Sequence, residues 1–291
     1  RKEFNFQGDL ISEGRLERPI PQYQGPRELT VGEMFSGPGG IGLALNQTKR
    51  GKLSFKHLWA TDYDSDTCET YRKNIFTGIH KEALSICKDI REVDIAKELP
   101  QADGFLYGFP CNDFSNVGES KGLEGHFGPL FSYGVEYINI NNPLFFFAEN
   151  VSGLRSANEG NAFKTILKAL NNAGKFGYNV TAHLYKFEQY GIPQARHRFI
   201  LIGIRGDLVS PKNGEKLFFK VPKAPGIVTP VKEALKDIPD WASNQERTNQ
   251  SKVVIERLKF IRPGENVWQA EDRMPEHLRL KVKGARLSQI Y

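Results

Sequence analysis

Leu29-Thr30-Val31-Gly32-Glu33-Met34-Phe35, followed at once by Ser36-Gly37-Pro38-Gly39-Gly40, is a short apolar strand that runs into a glycine-rich turn. The residues beyond it, near Ile41–Thr48, read as a helix. Strand, glycine turn and helix in that order make one unit of an α/β sheet. Glycines at such a turn let the backbone bend tightly and approach a ligand closely. A nucleotide-like cofactor would sit at the carboxyl end of this strand, although the turn alone does not select a phosphate cradle.

The same alternation continues outward. Phe55–Thr61 reads as a second strand and Ser65–Ile75 as a helix. Asp103–Gly108 is a clear strand, Leu130–Ile140 a helix, and Pro143–Ala148 a very apolar run. Ala162–Asn172 reads as a helix, and Val180–Phe187 and Phe199–Ile204 as two final strands that could pair as a hairpin. This order predicts a doubly wound, mostly parallel α/β sheet of Rossmann-like form. Residues 1–28 are polar and include the Pro/Gln-rich stretch Pro19–Pro26, which reads as an extension. After Ile204 the chain is broken by Pro211, Pro222, Pro225, Pro230 and Pro239, so a domain boundary is expected near Gly206. Three segments result: an extension (1–28), a sheet domain (29–205) and a smaller second domain (206–291).

Composition narrows the partners. The chain has 291 residues and a net charge of +6. A basic excess fits either a polyanion such as nucleic acid or a solvated basic surface. The last segment carries Arg279, Lys281, Lys283 and Arg286 in one short run. Three cysteines without a CxxC pair or zinc-ligand spacing predict neither a disulfide scaffold nor a metal centre. No run approaches the ~18 apolar residues of a membrane span, so no membrane partner is expected.

Five stretches carry candidate chemistry. The first is the turn Phe35–Gly40. The second is Thr61-Asp62-Tyr63-Asp64 at the end of the next strand. An acid there either accepts hydrogen bonds from both ribose hydroxyls or caps the following helix. Tyr63 could pack on an adenine face, and Asp89-Ile90 farther along could reach the adenine end. The third is Gly108-Phe109-Pro110-Cys111, the one Pro-Cys in the chain. A thiol just past a core strand, on a Gly/Ser-rich loop, is either a nucleophile or a small buried hydrophobe. The fourth is Glu149-Asn150 after Leu144–Ala148. A carboxylate leaving so apolar a strand is partly desolvated, which suits proton donation near neutral pH; the alternative is a cap pair. In the fifth, Gln194-Ala195-Arg196-His197-Arg198, the two arginines share a face if the strand has begun. They suit phosphate or base-carbonyl binding, or a surface salt-bridge strand.

Taken in order, FSGxGG, an acid after the second strand, PC-x-x-FS, ENV and QxRxR resemble the DNA (cytosine-5)-methyltransferase family of bacterial restriction–modification systems. The resemblance covers roughly Thr30 to Arg205. It implies a catalytic domain that uses S-adenosylmethionine and leaves S-adenosylhomocysteine, with a smaller target-recognition domain. Double-stranded DNA is the implied partner, and a cytoplasmic, nucleoid-associated location follows. Carried over by position, Phe35, Ser36, Gly37, Gly39 and Gly40 form the cofactor turn. Asp62 takes the ribose, Tyr63 packs near adenine, Asp89 and Ile90 line the adenine end, and Pro110 and Leu130 lie close to the cofactor. Cys111 is the implied nucleophile toward carbon 6 of a flipped-out cytosine, and Glu149 holds or protonates ring nitrogen 3. Arg198 is implied to hold the base carbonyl, and Arg196 a phosphate or loop. Asn150 positions the Pro-Cys turn, and Gln194 stands near the site.

The chain departs from the pattern in places. Asn112 follows the Pro-Cys where glutamine is usual. Gly125-His126-Phe127-Gly128 stands where Asp-x-Arg-Gly is common. The glycines and serines from Cys111 to about Phe127 suggest a loop that closes over the base. The family's C-terminal motifs have no counterpart, so a C-terminal segment or second polypeptide is expected to complete the fold. Two other readings remain. RNA cytosine-5 methylation is disfavoured, because Thr67-Cys68 sits in a helix and no Cys-Phe-Thr signature occurs. A DNA-binding or regulatory subunit of a split enzyme is the other.

Overall fold

The structure, a computed structural model, describes residues 27–48, 53–110, 130–155, 161–210, 212–243, 245–246 and 249–280. Cys111 with its loop to Phe127, the extension before Arg27, and Lys281, Lys283 and Arg286 lie outside the described residues.

The strands are β1 (Arg27–Met34), β2 (Leu53–Asp62), β3 (Leu84–Cys87), β4 (Gly104–Tyr107), β5 (Phe145–Val151), β6 (Tyr178–Lys186) and β7 (His197–Arg205). They form one sheet in the order β3-β2-β1-β4-β5-β7-β6. The pairs among β1 to β5 are parallel, and β7 runs antiparallel to both β5 and β6. The expected mostly parallel α/β sheet is therefore present, with β6 and β7 as the expected hairpin. The chain order reverses between β1 and β4. Their neighbouring carboxyl ends, Met34 and Tyr107, are register partners, and such a switch point opens a crevice for ligands.

Helices α1 (Gly40–Gln47), α2 (Ser65–Asn74), α3 (Ile95–Glu98), α4 (Leu130–Asn141) and α5 (Asn161–Asn171) connect or cover the strands. Helix α2 shows its local cause plainly. Asp64 caps it by accepting from Thr67 N at 2.8 Å, and Arg72 and Lys73 in its last turn complement the helix dipole. The core beneath the switch point is aromatic. Phe105 and Tyr107 stack at 4.9 Å, Phe105 lies 4.5 Å from Tyr137 of α4, and Phe109 lies 5.3 Å from Phe131. The alternation along β4 thus fixes where Phe109, and Pro110 after it, leave the sheet.

Compact units divide between Pro230 and Val231, not near Gly206. The proline-broken stretch after β7 stays with the sheet because polar groups tie it there. Asn179 Nδ2 donates to Leu217 O at 3.0 Å, Thr181 Oγ1 to Phe219 O at 3.1 Å and Tyr190 OH to Pro222 O at 3.1 Å. The first strand also begins at Arg27, inside the span expected to be extension. The second unit carries α6 (Val231–Leu235) and α7 (Lys252–Leu258). Its small core is Val267, Ala270, Met274 and Leu278.

One buried acid sits inside the sheet domain. Glu33 of β1 is 1% exposed and accepts from Tyr71 OH at 2.6 Å. Burial, opposed by the Tyr71 bond and reinforced by the charge of Asp62, pushes its carboxyl up to about 8. The folded protein therefore holds a proton that the unfolded chain releases between pH ~4.5 and ~8, so stability falls as pH rises through that window. Glu33→Gln should flatten this slope and raise stability at pH 7 by about 3 kcal/mol. Urea unfolding at pH 5 and pH 8 measures it; an unchanged pH slope would place the proton elsewhere.

Candidate active site

The candidate residues converge on one edge of the sheet. Met34 of β1 pairs with Thr61 of β2, and Asp62 with Cys87 of β3. On the other side Met34 pairs with Tyr107, Tyr107 with Ala148, and Val151 with Arg198. The turns after β1 to β5 therefore stand side by side, with the start of β7 at the same edge. Neighbouring strands are ~4.8 Å apart, so this row spans one small-molecule site and its neighbour.

At the β1–β2 end, the glycine turn is held by the acid. Gly37 N donates to Asp62 Oδ2 at 2.9 Å, and Asp64 N to Asp62 Oδ1 at 3.2 Å. Asp64, not Asp62, is the helix cap. Phe35 and Gly37 have φ of 57° and 55°, and Gly39 has φ of 103°. Glycine meets that demand without strain at 37 and 39, whereas Phe35 adopts it as part of the packed core. A Cβ at Gly37 or Gly40 would meet nothing within 4 Å, so the turn faces open space. At Gly39 a Cβ would lie 2.7 Å from Ile75, which sets the close approach of α1 to α2. Ser36 is buried.

Tyr63 is 75% exposed beside this turn, available as a stacking surface. Ile90 is buried in the main core. The Asp89 carboxylate is engaged by Arg91, through its backbone N at 3.0 Å and its guanidinium Nε at 2.8 Å. That bonding holds the Asp89 carboxyl at about 2. A ligand amine at Asp89 must share the carboxylate with Arg91, a pairing the sequence reading did not include.

At the β4–β5 end, Asn150 is 1% exposed and its Nδ2 donates to Phe109 O at 3.3 Å. Its Oδ1 accepts from Val151 N at 2.8 Å. This one side chain fixes the peptide that enters Pro110-Cys111. Glu149 Oε1 pairs with Arg198 Nε at 2.7 Å, and a Cβ at Gly108 would lie 3.7 Å from Glu149 Oε2. The carboxylate and guanidinium thus stand together against the turn before Cys111. Arg198 Nη1 also donates to His197 O at 2.9 Å.

The fifth stretch separates. Strand β7 starts at His197, so Arg196 precedes it and does not alternate within the strand with Arg198. Arg196 and Gln194 are exposed at its entry. His197 Nε2 lies 2.7 Å from Glu188 Oε1, a partner that the sequence spacing did not indicate. Leu130 opens α4 and packs against the core. Cys111 lies outside the described residues.

A family model for C-5 cytosine-specific DNA methylase matches residues 29–284. The chain belongs to that family. This methylase is 48% identical over 271 residues to the Type II methyltransferase M.BbvI of Brevibacillus brevis, covering 89% of this chain and 70% of that protein. It is 32% identical to the Type II methyltransferase M.NgoFVII of Neisseria gonorrhoeae, covering 89% of this chain and 65% of that one. The methylase thus spans about two-thirds of the length of these relatives. Among solved structures, the S. pombe Dnmt2 methyltransferase matches its fold with a TM-score of 0.54 at 20% identity, over 80% of this chain and 68% of that one. Among the described residues, no helix is long and apolar enough to cross a membrane, and no cluster of ligating side chains could hold a metal ion.

Proposed function

We propose that this chain transfers a methyl group from S-adenosylmethionine to carbon 5 of a cytosine flipped out of double-stranded DNA. The observation that carries the reading is the single edge on which the Gly37–Asp62 turn, the Asn150-held Phe109-Pro110 peptide and the Glu149–Arg198 pair stand in adjacent strands.

The residues present fit the cofactor. The turn at Gly37 and Gly40 is open, Asp62 is fixed at its side, and Tyr63 offers an exposed aromatic face. Asp62, Tyr63, Asp89, Ile90 and the turn Phe35–Gly40 would hold it, with Pro110 and Leu130 nearby. When bound, the cofactor supplies an electrophilic methyl on a sulfonium. The protein's own residues prepare the acceptor. Cys111 as thiolate adds to carbon 6 of cytosine, which makes carbon 5 nucleophilic. Glu149 holds a proton at ring nitrogen 3, so the adduct does not carry full negative charge. Arg198 holds both that carboxylate and the base carbonyl. After transfer, the carbon 5 proton leaves as a proton, the Cys111–carbon 6 bond breaks and the ring is restored. Arg196 and Gln194, exposed at the entry of β7, suit a phosphate or the loop after Cys111. The unit from Val231, with its basic end, is the proposed target-recognition part, and the protein works among cytoplasmic DNA.

Labelled methyl from S-adenosylmethionine should appear at cytosine carbon 5 in duplex DNA. Transfer to RNA alone would overturn the DNA reading. Running the assay with and without a candidate C-terminal polypeptide separates a self-sufficient enzyme from one that requires a partner. Asp62→Ala should weaken S-adenosylmethionine binding by about 1–3 kcal/mol, since both the ligand and Gly37 N lose their acceptor. Calorimetry measures this, and unchanged affinity would leave Asp62 only a tie for the turn.

A further inference from the structure

Two of the three cysteines meet beneath the cofactor edge. Cys87 is the last residue of β3 and pairs in register with Asp62. Cys68 lies in the first turn of α2, just after the Asp64 cap. The Cys68 thiol donates to Asp62 O at 3.5 Å, and the Cys87 thiol to Tyr63 O at 3.9 Å. Both sulfurs therefore rest on the same two-residue segment, and Cys87 is near enough to contribute to the upward push on the Cys68 thiol. Neither takes part in the proposed methyl transfer.

We propose that Cys68 and Cys87 form a redox-responsive dithiol that a hydroperoxide joins into a disulfide, weakening cofactor binding through the Asp62–Tyr63 segment. The effect on the cofactor rests on the function proposed above; the bond itself does not.

The two thiols have different roles. Cys87 is exposed and Cys68 buried. Burial and the neighbouring Cys87 push the Cys68 thiol up to about 12, so it does not react first. The Cys87 thiolate attacks the peroxide: a sulfur–oxygen bond forms, the oxygen–oxygen bond breaks and one water leaves. With Cys87 now a sulfenic acid, its part in the upward push on the Cys68 thiol is removed and burial, the larger part, remains. Cys68 attacks the Cys87 sulfur, a sulfur–sulfur bond forms, the sulfur–oxygen bond breaks and its proton leaves with a second water. Two electrons and two protons pass to the peroxide, and a dithiol reductant reverses the change. Both sulfur donors are lost. Asp62 O keeps Lys88 N as a partner at 3.0 Å, while Tyr63 O loses its thiol. The segment that presents Asp62 and Tyr63 is then held by a covalent brace instead of two weak bonds.

The test uses the full chain with Cys111→Ser, so that only these two thiols remain. Hydrogen peroxide should remove both titratable thiols, peptide mapping should join the Cys68 and Cys87 peptides, and dithiothreitol should restore both. The oxidised protein should bind S-adenosylmethionine roughly threefold to tenfold more weakly, the size of one lost hydrogen bond. With Cys87→Ser added, peroxide should leave the affinity unchanged. Further oxidation of Cys87 with Cys68 still free, or only intermolecular dimers, would overturn the proposal, as would a disulfide that leaves affinity unchanged. If the reduced protein binds no S-adenosylmethionine while the disulfide forms, the failure belongs to the cofactor assignment.

Discussion

Cys111→Ser should abolish methyl transfer while fold and cofactor binding persist. A serine hydroxyl is a much weaker nucleophile than a thiolate, so its attack on carbon 6 is far slower. Serine differs from cysteine only in the oxygen that replaces sulfur, so the substitution removes the nucleophile with little change in side-chain volume. A duplex carrying 5-fluorocytosine supplies the complementary result. Fluorine cannot leave as the proton does, so the wild-type protein should be trapped covalently in the presence of S-adenosylmethionine. The serine variant should not be trapped. Peptide mapping of the adduct decides the assignment, and attachment at Cys68 or Cys87 would overturn it.

Much of the sheet was legible because local chemistry and tertiary demand agree there. Leu29–Met34, Phe55–Thr61 and Phe145–Ala148 are apolar enough to lie inside a sheet, and a glycine turn or an aspartate marks the ends of the first two. Strand β3 was not legible. It has four residues, Leu84 and Cys87 are exposed, and its existence depends on pairing with β2. The domain boundary was misplaced for a related reason. Prolines after Ile204 interrupt regular structure, but they do not prevent Leu217, Phe219 and Pro222 from offering carbonyls to β6 and Tyr190.

Within the site, residue types were legible and their partners were not. The family resemblance assigned Asn150 to the Pro-Cys turn, but nothing in Glu149-Asn150-Val151 by itself showed that its amide would reach forty-one positions back to Phe109 O. Asp62 and Asp64 are equivalent as candidate caps until the turn at Gly37 claims one of them. The charge state of Glu33 is likewise a product of burial, since the same residue in an exposed strand would be an ordinary surface acid.

Glu149→Gln should lower turnover by roughly a hundredfold to ten-thousandfold, the range of a lost general acid, while duplex affinity changes little. The amide keeps the shape of the carboxylate and can still accept from Arg198 Nε, so the edge between β5 and β7 should hold. What it cannot do is hold a transferable proton at ring nitrogen 3. That interaction strengthens only as Cys111 adds to carbon 6, so its loss falls on the rate and not on ground-state binding. DNA affinity is dominated by phosphate contacts and base placement, which the amide leaves in place. Single-turnover rates and equilibrium binding on the same duplex separate the two effects. An equal loss in both would make Glu149 a support for Arg198. Arg198→Lys then serves as the control: it keeps a cation beside Glu149 but gives up the planar fork, so it should weaken base placement as well as rate.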